Sequence, residues 1–155
     1  MNKQLKTKYE QHVEFLDEEL VDINQAGLFG SQIIHLASFA GEREDIALAV
    51  DLGANPNAIG DLGLSPLHYA ILGGCPQTVA LLLSLGSEKF IENEFGESAL
   101  EMAQILKMRE ISALLGAVGL APSFGHDAAE HAKQRWLDFK QIQKENWGPS
   151  FKPHK

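Results

Sequence analysis

Two histidines, His35 and His68, stand 33 residues apart and offer the clearest capacity for chemistry in this chain. An imidazole can act as a general base or bind a metal ion through either ring nitrogen. Both functions require partner residues, and the other histidines show no metal-ligand spacing such as His-Glu-x-x-His. Cys75 is the only cysteine, which excludes an intrachain disulfide and argues against a cysteine-based zinc site. We therefore predict no metal site, and we interpret both histidines as structural.

The remaining candidates for catalysis also have a structural interpretation. Three serines precede predicted helices near the same period, which is typical of helix caps rather than nucleophiles: Ser31, Ser65 and Ser98. The carboxylates of residues 42–45 are predicted to form a solvated turn. No Gly-x-Ser-x-Gly elbow, phosphate-binding loop or dinucleotide fingerprint is present. We therefore predict that the protein is not an enzyme and takes neither a cofactor nor a small-molecule substrate.

Composition narrows the class of partner. The chain has 155 residues, 45% of them hydrophobic, and a formal charge of −8, which argues against binding to nucleic acid. Its longest apolar runs, such as residues 79–83, are too short to span a bilayer. The lysine-rich N-terminus is not followed by an apolar stretch, so we predict no signal peptide. These features predict a soluble, cytoplasmic protein that prefers basic or neutral partners to nucleic acid.

The elements that position these residues repeat along the chain. Gly30, Gly63 and Gly96 are separated by 33 residues, twice in succession. Similar segments follow each glycine: Gly-Ser-Gln-Ile-Ile-His-Leu-Ala, Gly-Leu-Ser-Pro-Leu-His-Tyr-Ala and Gly-Glu-Ser-Ala-Leu-Glu-Met-Ala. Such a period is the signature of a repeat architecture, in which each unit buries its apolar face against the next.

The pattern resembles the ankyrin repeat, which reads G-x-T-P-L-H-x-A-A followed by an apolar run and G-A-D-V-N-A. Residues 65–68 carry the Ser-Pro-Leu-His core of this motif, and residues 53–58 carry its ending. The third copy departs from the motif, with Glu101 in place of the histidine and Lys107 in place of the glycine between the helices. The resemblance implies paired antiparallel helices with β-turn fingers, and histidines that hydrogen-bond to a neighbouring backbone.

We therefore predict an all-α ankyrin-repeat solenoid with an extra C-terminal helix, in a small stand-alone protein of bacterial type. Residues 1–26 are predicted to form an N-terminal capping half-repeat, with an outer helix carrying Val13, Phe15, Leu16 and Leu20 and an acidic outer face. The three repeats are predicted at 27–59, 60–92 and 93–119. Residues 120–155 are predicted to contain a linker, an amphipathic helix near residues 127–144 and a frayed tail.

The C-terminal helix has two interpretations. In the first, it caps the last repeat and buries Trp136 and Phe139 against Ile111, Leu114 and Leu115. In the second, it folds into the concave groove or forms part of the binding site, as aromatic anchors often do.

Large apolar side chains occur where the ankyrin resemblance implies variable surface positions. The finger tips carry one in each repeat, which we call the finger column: Phe29, Leu62 and Phe95. The inner helices carry another in each repeat, which we call the inner column: Phe39, Leu72 and Ile105. Stacking would bring each column together on the concave face, and a large exposed apolar patch marks an interaction site.

Acidic residues accompany these columns as a predicted rim: Asp61, Glu94 and Glu97. We predict that a partner protein binds across both columns and this rim. The alternative is that the apolar groups pack against one another inside the fold.

Two functions fit a binding module of this kind. The first is an inhibitor, such as an immunity protein that occupies the active site of a basic toxin or effector, where acidic side chains speed association. The alternative is a regulatory or scaffold subunit that anchors a partner without inhibiting it. The fold alone does not choose between them.

Overall fold

The protein is an all-α solenoid, as predicted. The computed structural model describes residues 1–116 and 126–148, and these residues contain helices but no β-strand. The described α-helices are α1 (Lys3–Tyr9), α2 (Ile33–Ala40), α3 (Arg43–Asp51), α4 (Pro66–Gly73), α5 (Pro76–Ser84), α6 (Ala99–Ile105), α7 (Arg109–Leu114) and α8 (His126–Trp147). Short 3-10 helices lie at Val13–Phe15 and Asp61–Gly63.

Three helix pairs form the repeats: α2 with α3, α4 with α5, and α6 with α7. The inner helices α2, α4 and α6 pack in succession, and α5 packs against α7. Residues such as Leu36, Leu64 and Leu67 are fully buried in this stack. Each repeat therefore buries its apolar face against its neighbour, which is how solenoids build a continuous core.

The inner helices begin at polar caps, with one difference from prediction. Ser65 caps α4 and Ser98 caps α6, each accepting a hydrogen bond from a backbone N–H of the first helical turn. The predicted cap Ser31 is wrong, because Gln32 occupies the cap position of α2. Ser31 stands one residue ahead of the register of Ser65, and its hydroxyl instead forms a buried 2.9 Å hydrogen bond with the hydroxyl of Tyr69.

The N-terminal segment differs from the predicted capping helix. Its helix is α1, and the predicted outer helix is reduced to the 3-10 turn Val13–Phe15. Leu16 is exposed, whereas Glu14, expected on the polar outer face, is buried. The reason is a local polar contact: the Glu14 carboxylate accepts a 2.8 Å hydrogen bond from the backbone N–H of Phe29 and so holds the first finger.

The C-terminal helix α8 extends the predicted helix by a few residues and runs across the repeats. Its 22 residues span roughly 33 Å at 1.5 Å per residue, which is the width of several packed helices. It contacts α6, α4 and the Val13–Phe15 turn. No helix in the described ranges is long and apolar enough to cross a membrane. The predicted linker at residues 120–125 and the tail from residue 149 lie outside the described residues.

Candidate protein-binding surface

The two predicted apolar columns lie in different environments. In the finger column, Phe29 is 49% exposed and Phe95 is 45% exposed, and Leu62 is half-buried. All three members of the inner column are buried: Phe39, Leu72 and Ile105. The expectation that the inner column is open to solvent is therefore wrong, because these side chains belong to the continuous apolar core that also contains residues of α8.

Aromatic contacts dock α8 along the inner helices. The Trp136 ring packs edge-on against Phe95 with ring centroids 5.6 Å apart, and it also contacts Phe139 at 5.9 Å. Phe139 in turn contacts Tyr69 of α4, with centroids 6.1 Å apart. These contacts contradict the prediction that α8 caps the last repeat. Leu114, one of the predicted partners in that arrangement, is exposed. The alternative position across the inner helices is the one observed.

A buried carboxylate anchors the N-terminal half of α8. Glu97 was predicted as a rim residue, but it is buried and accepts a 2.9 Å hydrogen bond from the indole N–H of Trp136. The amide of Asn93 donates to the same oxygen at 3.2 Å, and an Arg135 guanidinium nitrogen lies 3.6 Å away. The Arg135 guanidinium also lies 3.8 Å from the centroid of the Phe95 ring. Glu97 therefore positions α8 and is not available as a surface charge.

The other end of α8 packs against the N-terminal segment. Trp147 makes edge contacts with Tyr9 and His12, with ring centroids 5.7 and 5.1 Å apart. The Tyr9 hydroxyl donates to the Asp45 carboxylate at 2.8 Å, and the ammonium of Lys8 lies 2.7 Å from the same oxygen. Burial raises the pKa of Tyr9 well above its usual range. Asp45 was predicted in a solvated turn but is buried in this cluster, where it joins α1 to α3.

His35 and His68 have the structural role that the resemblance implied. Nδ1 of His35 accepts from the Gln32 backbone N–H at 2.9 Å, and its Nε2 donates to the Ala58 carbonyl at 2.8 Å. Nδ1 of His68 accepts from the Ser65 backbone N–H at 3.1 Å, and its Nε2 donates to the Glu97 carbonyl at 3.0 Å. Burial lowers the pKa of both histidines to about 4, so both are neutral near pH 7.

Asparagine side chains form a second set of links between repeats. The Asn24 amide donates to the Gly53 carbonyl at 3.0 Å, and the Asn57 amide donates to the Gly86 carbonyl at the same distance. The third residue in this register is Phe90, which is 78% exposed. The asparagine links therefore stop after the second position, where the sequence also departs from the motif ending.

Two predicted rim carboxylates remain at the surface. Asp61 is half-buried and Glu94 is exposed, and among the described residues neither forms an ion pair with lysine, arginine or histidine. Burial raises the pKa of the Asp61 carboxyl, and the charge of Glu94 raises it further. The negative charge at this edge is therefore uncompensated, unlike that of Glu97.

An open apolar cleft of 290 Å³ lies beside Asp61, between the first two fingers and the C-terminal half of α8. Phe29 and Leu62 line it from the fingers, and Phe139 and Ile142 line it from α8. One of the two interpretations of the C-terminal helix made it part of the binding site, but neither Phe139 nor Ile142 was among the predicted site residues. The amphipathic pattern of the helix was the available signal, and only the tertiary structure identifies what its apolar face contacts.

A family model describing ankyrin repeats, in three copies, matches residues 5–93, which is more than half of the chain. The chain belongs to the ankyrin-repeat family. Ankyrin repeats form a non-catalytic fold that binds other proteins, so this chain is a protein–protein interaction module. No curated protein matches the chain. Within the described residues, no group of three or more histidine, cysteine, aspartate or glutamate side chains is placed to hold a metal ion.

Proposed function

We propose that this ankyrin-repeat protein binds and inhibits a basic partner protein in the cytoplasm, through the open edge of its fingers. This finger edge comprises the predicted site residues that remain at or near the surface: Phe29, Asp61, Leu62, Glu94 and Phe95. The other four members of the predicted site are buried and stabilise the fold rather than contact a partner, because they pack in the core or anchor α8: Phe39, Leu72, Glu97 and Ile105.

The observation that carries this proposal is the combination of exposed phenylalanines with uncompensated carboxylates at one edge. Exposed large aromatic side chains are enriched at interfaces, where their desolvation supplies much of the binding energy. The unpaired charges of Asp61 and Glu94 favour a basic partner and would accelerate its association. A formal charge of −8 extends this preference over the whole chain.

Inhibition is favoured over simple anchoring by the chemistry of this edge. Carboxylates beside apolar groups can occupy the cationic site that a basic enzyme uses for an anionic substrate. The same features suit an immunity protein that blocks a toxin or effector. A scaffold subunit would bind equally well and leave the activity of its partner unchanged.

The test begins with a photo-crosslinking residue in place of Leu28, which is exposed and adjoins Phe29. Crosslinked proteins from the native host are identified by mass spectrometry, purified and titrated against the chain by calorimetry. We expect a saturable complex whose affinity falls as salt rises, and a loss of the activity of the partner in the complex. A complex with full partner activity would support the scaffold function instead. The absence of any saturable protein complex would contradict protein binding itself.

A further inference from the structure

The cleft between the fingers and α8 is lined by apolar groups that the protein does not bury itself. Phe29 is 49% exposed on one wall and Ile142 is 51% exposed on the other, with Leu62 and Phe139 also lining the cleft. Its volume of 290 Å³ is near the lower end of ligand pockets, which suits a bulky side chain better than a large cofactor.

The second finger, which lines the cleft through Leu62, has an unusual backbone conformation. Leu62 has φ 55° and ψ 24°, in the left-handed region that is strained for a residue other than glycine. A hydrogen bond from the Glu94 backbone N–H to the Leu62 carbonyl, at 3.0 Å, joins this finger to the next one. The strained residue is thus a cleft-lining leucine rather than a glycine, and such strain clusters at functional positions.

The charge beside the cleft is negative and lacks an internal counterion. Asp61 lines the cleft. Burial raises the pKa values of Asp61 and Glu14, and charge repulsion adds to the rise, from Glu94 at Asp61 and from Asp61 at Glu14. The Glu14 carboxylate already accepts hydrogen bonds from the Phe29 backbone N–H and from Ser31. Asp61 and Glu94 form no ion pair with any cation of the described residues.

We infer that this cleft receives an apolar side chain from a basic segment of the partner protein, with an adjacent arginine or lysine pairing with Asp61 and Glu94. This inference rests on the proposed function and adds the chemistry of the contact. The apolar side chain completes the burial of Phe29 and Ile142. The neighbouring cation neutralises two carboxylates that repel each other, so both contacts favour the same kind of segment.

The experiment uses the full-length chain and a display library of random peptides. We expect enrichment of peptides that combine a large apolar residue with nearby arginine or lysine. An enriched peptide is then titrated into methyl-labelled protein, and we expect saturable shifts of the Leu62 and Ile142 methyl resonances. Enrichment of acidic or purely apolar peptides, no enrichment at all, or shifts that leave both residues unchanged would overturn the inference.

Variants separate this contact from folding and from the proposed function. Phe29→Ala should lower the affinity for the enriched peptide at least about tenfold, and Phe29→Leu should restore part of that loss. Asp61→Asn should lower the affinity about threefold and reduce its dependence on salt concentration. Phe90→Ala removes another exposed phenylalanine, outside the cleft lining, and should leave affinity unchanged. If the crosslinked partner binds wild type and Phe29→Ala equally, the cleft assignment fails while protein binding stands.

Discussion

The finger column and the inner column share the same period but have opposite surroundings. Phe29 and Phe95 remain partly exposed at the finger tips, whereas Phe39, Leu72 and Ile105 are buried in the core. The difference arises because the inner column belongs to the continuous apolar core of the repeats and α8, whereas Phe29 and Phe95 lie outside that core. Two repeat positions that are variable in ankyrin motifs therefore differ in this protein. The inner-helix position contributes to the core, and the finger-tip position remains partly exposed.

The largest effect should come from removing the aromatic anchor of α8. Trp136 is fully buried, so Trp136→Ala should lower the free energy of unfolding by roughly 3–5 kcal/mol and leave Glu97 buried without its indole donor. Urea denaturation measures the change. Leu137→Ala, at an exposed neighbouring position, is the matched control and should change stability by less than about 0.5 kcal/mol. A loss below about 1 kcal/mol for Trp136→Ala would show that α8 does not stabilise the repeats.

A phenylalanine from each column compares them directly. Phe39→Ala should cost roughly 3–5 kcal/mol of stability, because it leaves a cavity in the core. Phe29→Ala removes a half-exposed ring and should cost less than about 1 kcal/mol. Both are measured by the same urea denaturation, with circular dichroism as the folding signal. Equal losses at the two positions would mean that the columns do not differ in burial.

Burial lowers the pKa of three histidines to about 4. His35 and His68 lie on the inner helices, and His12 contacts Trp147 of α8. Because their pKa in the unfolded chain is 6.5, the unfolded state takes up protons first as the pH falls. Stability is therefore fully present above about pH 6.5 and is lost progressively toward pH 4. Between pH 7 and pH 6 the three together should lower the free energy of unfolding by roughly 2 kcal/mol.

Urea denaturation at each pH tests this expectation. Burial raises the pKa of Glu14 and Asp61, which stabilises the folded state as the pH falls and so acts in the opposite direction. His12→Asn keeps a side chain that can cap the Val13–Phe15 turn. It should remove about one third of the decrease in the free energy of unfolding between pH 7 and pH 6. His131→Asn, at an exposed position, is the matched control for the substitution itself and should change the free energy of unfolding at pH 7 by less than about 0.5 kcal/mol. A free energy of unfolding that is constant between pH 7 and pH 6 would contradict the neutral burial of these histidines.

The glycine spacing predicted the repeated units, because it reports directly on the period of a solenoid. The resemblance to the ankyrin motif implied the paired helices and the roles of His35 and His68. Neither predicted the burial of the inner column or of Glu97. Glu97 pairs with Trp136, which is 39 residues away along the chain, and the inner column lies in a core that the repeats share with α8. Periodicity carries no information about such contacts. The error at Ser31 was smaller, since one residue of register separates a helix cap from a hydrogen-bonded core position.

The smallest effect concerns the turn between the two helices of each repeat. Gly41 and Gly74 adopt left-handed φ values of 73° and 79°, and Lys107 occupies the same turn of the third repeat with φ 58°. A non-glycine residue there costs roughly 1–2 kcal/mol, whereas glycine loses about 0.5–1 kcal/mol more backbone entropy on folding. Lys107 is exposed, so Lys107→Gly should raise the free energy of unfolding by about 0.5–1 kcal/mol.

The reciprocal change, Gly74→Lys, is the matched control and should lower stability by a similar amount. A Cβ atom at Gly74 would meet only the Met108 methyl at 3.9 Å, an ordinary contact, so the expected loss comes from backbone strain rather than from a clash. Urea denaturation of both variants measures the pair. A Lys107→Gly variant less stable than wild type would mean that the lysine side chain contributes more than its backbone conformation costs. The weakest repeat by sequence would then be stabilised by the very residue that departs from the motif.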